Sequence, residues 1–88
     1  MITVYKYKLC DNIETTLSIP TGSEVLRVDT QANFLCLWAL VDTDQKNELR
    51  TFEVFGTGIQ MPKAERRFLN TFFVNEGEFV FHAFERIK

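Results

Sequence analysis

The sequence predicts an all-β domain of about seven antiparallel strands, arranged as a small sandwich or partly closed barrel with room for one short helical turn. Three observations point there. Apolar and polar residues alternate with period two over most of the 88 residues. Short clusters of Gly, Pro, Asn, Asp and Ser punctuate the alternating runs. An aromatic fraction of 14%, including nine phenylalanines, supplies bulky side chains for a core between two layers.

The first run places Tyr5, Tyr7 and Leu9 on one face and Lys6 and Lys8 on the other, the pattern of a half-exposed strand. In the second, Ile13, Thr15, Leu17 and Ile19 share a face opposite Glu14, Thr16 and Ser18. Pro20-Thr21-Gly22-Ser23 then stops it, with Gly22 placed to supply a positive φ. A third strand over Glu24–Thr30 should turn Leu26 and Val28 inward, Arg27 and Asp29 outward. Phe34–Val41 is apolar on both faces, as expected of a central strand or of one whose outer face meets another subunit.

Glu48–Phe55 resumes alternation, with Arg50, Phe52 and Val54 opposed to Leu49, Thr51, Glu53 and Phe55, and either face could be the inner one. Residues 56–67 read as a long connection in which Pro62 starts a helical turn through Lys63-Ala64-Glu65-Arg66. Strands over Phe68–Val74 and Glu78–Glu85 close the domain through Asn75-Glu76-Gly77, a glycine-containing hairpin connection.

A chain of this length forms one domain and can fold without staples. The net charge of −2, with both signs interspersed, lacks the basic face that duplex nucleic acid requires. Cys10 and Cys36 read as unlinked thiols. Residues 1–8 carry charge too early for a signal peptide, and no apolar run approaches the 18 or so residues of a membrane span. The expectation is a soluble intracellular protein with no membrane partner.

Candidate chemistry is sparse. His82 is the lone histidine and zinc spacings are absent, so no metal or other cofactor is expected. His82 itself is either a base or ligand contact, or an ordinary strand residue among Phe79, Phe81 and Phe84. Gly56-Thr57-Gly58 has neither dinucleotide nor phosphate-loop spacing and can be a plain turn. Followed by Lys63, Arg66 and Arg67, its backbone N–H groups could instead form an anion pocket. Trp38 sits among apolar neighbours, which favours the core over a stacking platform. Asp42, Asp44 and Glu48 lack the glycine and spacing of a calcium loop, and neither Ser18 nor Ser23 sits in a nucleophile elbow.

Several segments carry a resemblance: Val4-Tyr5-Lys6-Tyr7, Pro20-Thr21-Gly22-Ser23 with Val25-Leu26-Arg27-Val28, Cys36-Leu37-Trp38-Ala39-Leu40-Val41-Asp42, Arg50 through Gly58, and Phe79-Val80-Phe81-His82-Ala83-Phe84-Glu85. In these the chain resembles a family of short tailed-phage and prophage proteins, over nearly its whole length. The resemblance implies the cytoplasm of a bacterial host, and small phage proteins of this kind commonly act by binding.

The resulting expectation is a non-enzymatic, homo-oligomeric phage protein that counters host defence, sequestering a nucleotide-derived signal. In that scheme Gly56, Thr57 and Gly58 hold phosphate, Lys63, Arg66 and Arg67 neutralise it, Trp38 or Phe55 stacks on a base, and Arg50 and His82 complete the site. Replacing Arg66 and Arg67 by Ala would then abolish binding at unchanged Tm. The alternatives are a protein–protein inhibitor of a host or defence enzyme, which docks an edge strand or apolar patch, and a small virion or assembly component.

Overall fold

The computed structural model describes residues 1–10 and 13–87. Seven strands follow in chain order: β1 (Ile2–Lys8), β2 (Glu14–Pro20), β3 (Glu24–Gln31), β4 (Phe34–Asp42), β5 (Asn47–Gly56), β6 (Arg66–Val74) and β7 (Phe79–Arg86). They build two antiparallel sheets, ordered β1-β4-β3 and β2-β5-β7-β6, which pack as an open sandwich. Ile19, Val28, Leu37, Val41, Phe52 and Phe72 are the largest fully buried side chains and form the centre of the interlayer core.

β4 is the middle strand of its sheet, and only one of its two apolar faces meets the other sheet. Leu37, Ala39 and Val41 point into the core. Cys36, Trp38 and Leu40 alternate onto the outer face, where Trp38 lies between Lys6 and Arg27 in the cross-strand register. Trp38 is therefore half-buried on an outer surface and outside the core, contrary to the reading from its neighbours. β3 departs from its alternation as well. A bulge between Val25 and Arg27 leaves Leu26 unpaired and 47% exposed, and it is Val25 and Val28 that pack inward.

β5 and β6 both pair with β7 and so run parallel to each other. Residues 57–65 must return along the length of the sheet, and with the interlayer space filled they do so on its outer side. The return covers five register positions of β7, about 17 Å, and two strand spacings, about 10 Å, well within the reach of nine residues. The helical turn expected after Pro62 does not form: the described residues contain no helix. The same layout resolves the ambiguity in β5, because Arg50, Phe52 and Val54 face the other sheet while Glu53 and Phe55 are buried on the outer side.

Ala32 (φ 50°) and Asn33 (φ 68°) make a two-residue turn between β3 and β4 with both residues left-handed. Ala is poorly suited there, since its Cβ crowds the backbone at positive φ. The double substitution Ala32→Asn, Asn33→Gly is expected to raise stability by about 1 kcal/mol, measured as a shift in the urea midpoint at constant m.

Candidate functional site

At one end of the sandwich the sheets part to leave a cleft of about 430 Å³. Its walls come from the ends of five strands: Val54 and Gly56 of β5, Phe81 of β7, Phe72 and Val74 of β6, Thr30 of β3 and Leu35 of β4. Phe72 and Phe81 stack with ring centroids 5.7 Å apart and form a flat apolar wall. Thr30 and Asn33 bring polar groups, and no described lining residue is charged.

The glycine segment forms part of the rim. A Cβ on Gly56 would lie 3.4 Å from Ile59 Cγ1 and 3.6 Å from Phe81 Cε1, so the bare backbone lets Ile59 close against the wall. Gly58 takes φ 84°, which favours glycine. Thr57 is tied to β7: its N–H donates to Val80 O at 3.1 Å, and its Oγ1 lies 2.7 Å from His82 Nε2. The other ring nitrogen, Nδ1, lies 2.9 Å from Thr71 Oγ1. With both nitrogens engaged by hydroxyls, His82 anchors the glycine segment to the sheet.

The basic residues do not gather around this segment. Arg66 is buried on the outer side, where its Nε donates to Glu53 Oε1 at 2.8 Å and its guanidinium lies 5.2 Å from the Phe55 ring centroid. Arg86 Nη1 approaches the same carboxylate at 3.5 Å. Phe55 is itself only 3% exposed, so it has no free face for a base. Lys63 is exposed in the return segment. Arg50 and Arg67 lie at the opposite end of the four-stranded sheet, in a polar cleft with Glu48, Glu85 and Arg86. There Arg50 donates to both oxygens of Glu85 at 2.6 and 2.8 Å and to Ser23 O at 2.6 Å. The hydrogen bonds that Glu85 accepts hold the Arg50 pKa above its ordinary value.

Ten residues expected from sequence to share one ligand thus occupy separate places. Phe55, Gly56, Thr57, Gly58 and His82 cluster near the apolar cleft; Arg50 and Arg67 are at the far end; Arg66 is on the outer side; Lys63 is exposed between β5 and β6; Trp38 is on the other sheet. Arg50 has all three guanidinium nitrogens bonded to Glu85 and Ser23, whereas Arg66 keeps its Nη2 without a hydrogen-bond partner and Arg67 is largely exposed. What sequence reasoning missed is the cleft wall itself, Thr30, Asn33, Leu35, Phe72 and Phe81.

No curated protein and no solved structure matches this chain. A family model does, described as a domain of unknown function (DUF7352), and it matches residues 1–88. The chain belongs to that family.

Proposed function

We propose that this is a non-enzymatic binding domain that takes an apolar group of a small molecule into the end cleft. The carrying observation is the cleft: about 430 Å³, within the usual range of small-molecule sites, with stacked Phe72 and Phe81 as its wall. Asn33 and Thr30 would orient the ligand by hydrogen bonds. The apolar lining favours an aromatic or branched group over a phosphate. A nucleotide-derived signal suits this reading with its base in the cleft and its phosphates outside the rim. In the setting implied by the phage resemblance, the domain would act by sequestration in the host cytoplasm.

Gly56→Val tests the site, because the added methyl groups would enter the cleft mouth beside Ile59. With anilinonaphthalene sulfonate as probe, the variant is expected to bind about tenfold or more weakly than the parent, a loss of about 1.4 kcal/mol. Equal probe affinity in a variant with unchanged circular dichroism would remove the cleft as the site. Native mass spectrometry of protein purified gently from bacteria would identify a retained ligand by excess mass that disappears on denaturation.

A further inference from the structure

Four strands lie at sheet edges, and three carry features that discourage pairing. β3 has the bulge at Leu26, and its outward backbone is clamped by β6: Asn70 Oδ1 accepts from Val28 N at 2.8 Å while Asn70 Nδ2 donates to Val28 O at 2.7 Å. β6 is bulged between Phe68 and Asn70. β2 ends in Pro20, which has no N–H to offer. β1 has neither bulge, clamp nor proline, and its edge charges are Lys6 and Lys8. It pairs with β4 in unbroken register over seven residues, contains no proline, and turns its other edge outward.

The hydrogen-bond phase of that edge can be derived. Thr43 N donates to Met1 O and Leu9 N donates to Leu35 O, so odd-numbered residues of β1 direct their backbone groups to β4. Ile2, Val4, Lys6 and Lys8 therefore direct theirs away from the domain. Their side chains share the outer face, while Thr3, Tyr5 and Tyr7 share the inner one.

We propose that β1 pairs antiparallel with β1 of a second copy about a twofold axis at Tyr5, joining two three-stranded sheets into one of six strands. The sequence of the edge is self-complementary in this register. Ile2 faces the partner's Lys8 and Val4 faces the partner's Lys6, and both are hydrogen-bonded pairs. All four outward residues on each strand are used, and no two lysines oppose. Shifting the axis to Lys6 would set lysine against lysine; shifting it to Val4 would leave Lys8 unpaired.

Charge favours the same arrangement. In the outer-face row, Asp42 follows Ile2, which places its carboxylate two strand spacings, about 10 Å, from the backbone of the partner's Lys8. A lysine and an aspartate can bridge that separation with their side chains, Lys8 leaving the Phe34 ring it covers at 3.9 Å and sharing Asp42 with the Met1 ammonium. On the inner face Tyr5, 41% exposed, meets the partner's Tyr5 as a close non-hydrogen-bonded pair and covers apolar ring surface in both copies.

Sedimentation equilibrium at millimolar chain concentration is expected to return twice the chain mass of 10.3 kDa. Val4→Pro removes an outward N–H and no bond to β4, so it is expected to halve that mass while retaining the parent circular dichroism. A register test does not depend on tolerance of proline. With Cys10→Ser in the background, Tyr5→Cys is expected to give a disulfide-linked dimer on mild oxidation, because the axis sets the two Cα atoms about 4.5 Å apart. Thr3→Cys in the same background, facing the partner's Tyr7, is expected to remain unlinked. A monomeric mass for the parent chain, or equal cross-linking at positions 3 and 5, would overturn the proposal.

Discussion

Glu85→Gln is expected to lower the unfolding free energy by about 3–5 kcal/mol, the range for stripping one member from a buried ion pair. For a domain of this size that is about 15 °C or more in Tm. The Arg50 side chain is only 14% exposed and that of Glu85 only 10%. Two of the guanidinium nitrogens are bonded to Glu85 and a third to Ser23 O. Gln retains one acceptor oxygen but supplies no charge, and Arg50 cannot relieve its burial by releasing a proton, since a guanidinium stays protonated in proteins. Arg50→Met combined with Glu85→Leu is expected to recover most of the loss by removing both charges together. Urea denaturation of the parent, Arg50→Met, Glu85→Leu and their combination measures the coupling; a loss below about 1 kcal/mol in Glu85→Gln would show that the pair is hydrated and carries little.

Arg66→Ala should be nearly as damaging, about 3 kcal/mol, whereas Lys63→Ala and Arg67→Ala should each stay within about 0.5 kcal/mol. The contrast follows from burial. Arg66 and its partner Glu53 have side-chain exposures of 8% and 5%, while Arg67 is 65% exposed and 4.0 Å from the Glu85 carboxylate. Loss of Arg66 also uncovers the Phe55 ring and leaves Glu53 with Arg86 as its remaining close cation. This inverts the outcome expected of a surface anion site, in which Arg66 and Arg67 would matter equally for binding and neither for stability. Thermal unfolding of the three single variants separates the two; equal Tm values would return Arg66 to the surface.

The strands themselves were legible because β structure writes itself into alternation and turn chemistry, which are local properties. Pro20-Thr21-Gly22-Ser23 and Asn75-Glu76-Gly77 stop strands where expected, and Gly22 and Gly77 do take positive φ. The two apolar faces of β4 were read as those of a central strand covered on each side or of one meeting another subunit; it is the middle strand of its sheet, but the other sheet covers only one face. The bulge at Leu26 was illegible because one unpaired residue shifts every later side chain to the other face without altering composition. Arg66 was misread for a related reason. A basic residue after a glycine turn looks like a surface ligand contact until its partner is known, and that partner, Glu53, lies thirteen residues earlier on β5. A clue was available: Glu53 stands between Phe52 and Val54, and Glu85 follows Phe84 in an equally apolar strand. A carboxylate inside such a run must be expected to need a cation nearby. The apolar cleft left even less trace, since it is formed by strand ends brought together by sheet packing.

The placement of β7 between β5 and β6 bears on how the domain is made. Until the chain has been synthesised past Arg86, β5 lacks one of its two ladder partners and β6 lacks its only one. β1 waits for β4 and β2 for β5, so most pairings join distant parts of the chain. Such high contact order places folding in the milliseconds-to-seconds range. During that interval the bare edges of β5 and β6 are open to chaperones or to a neighbouring nascent chain, and the final strand to emerge is the one that closes them both.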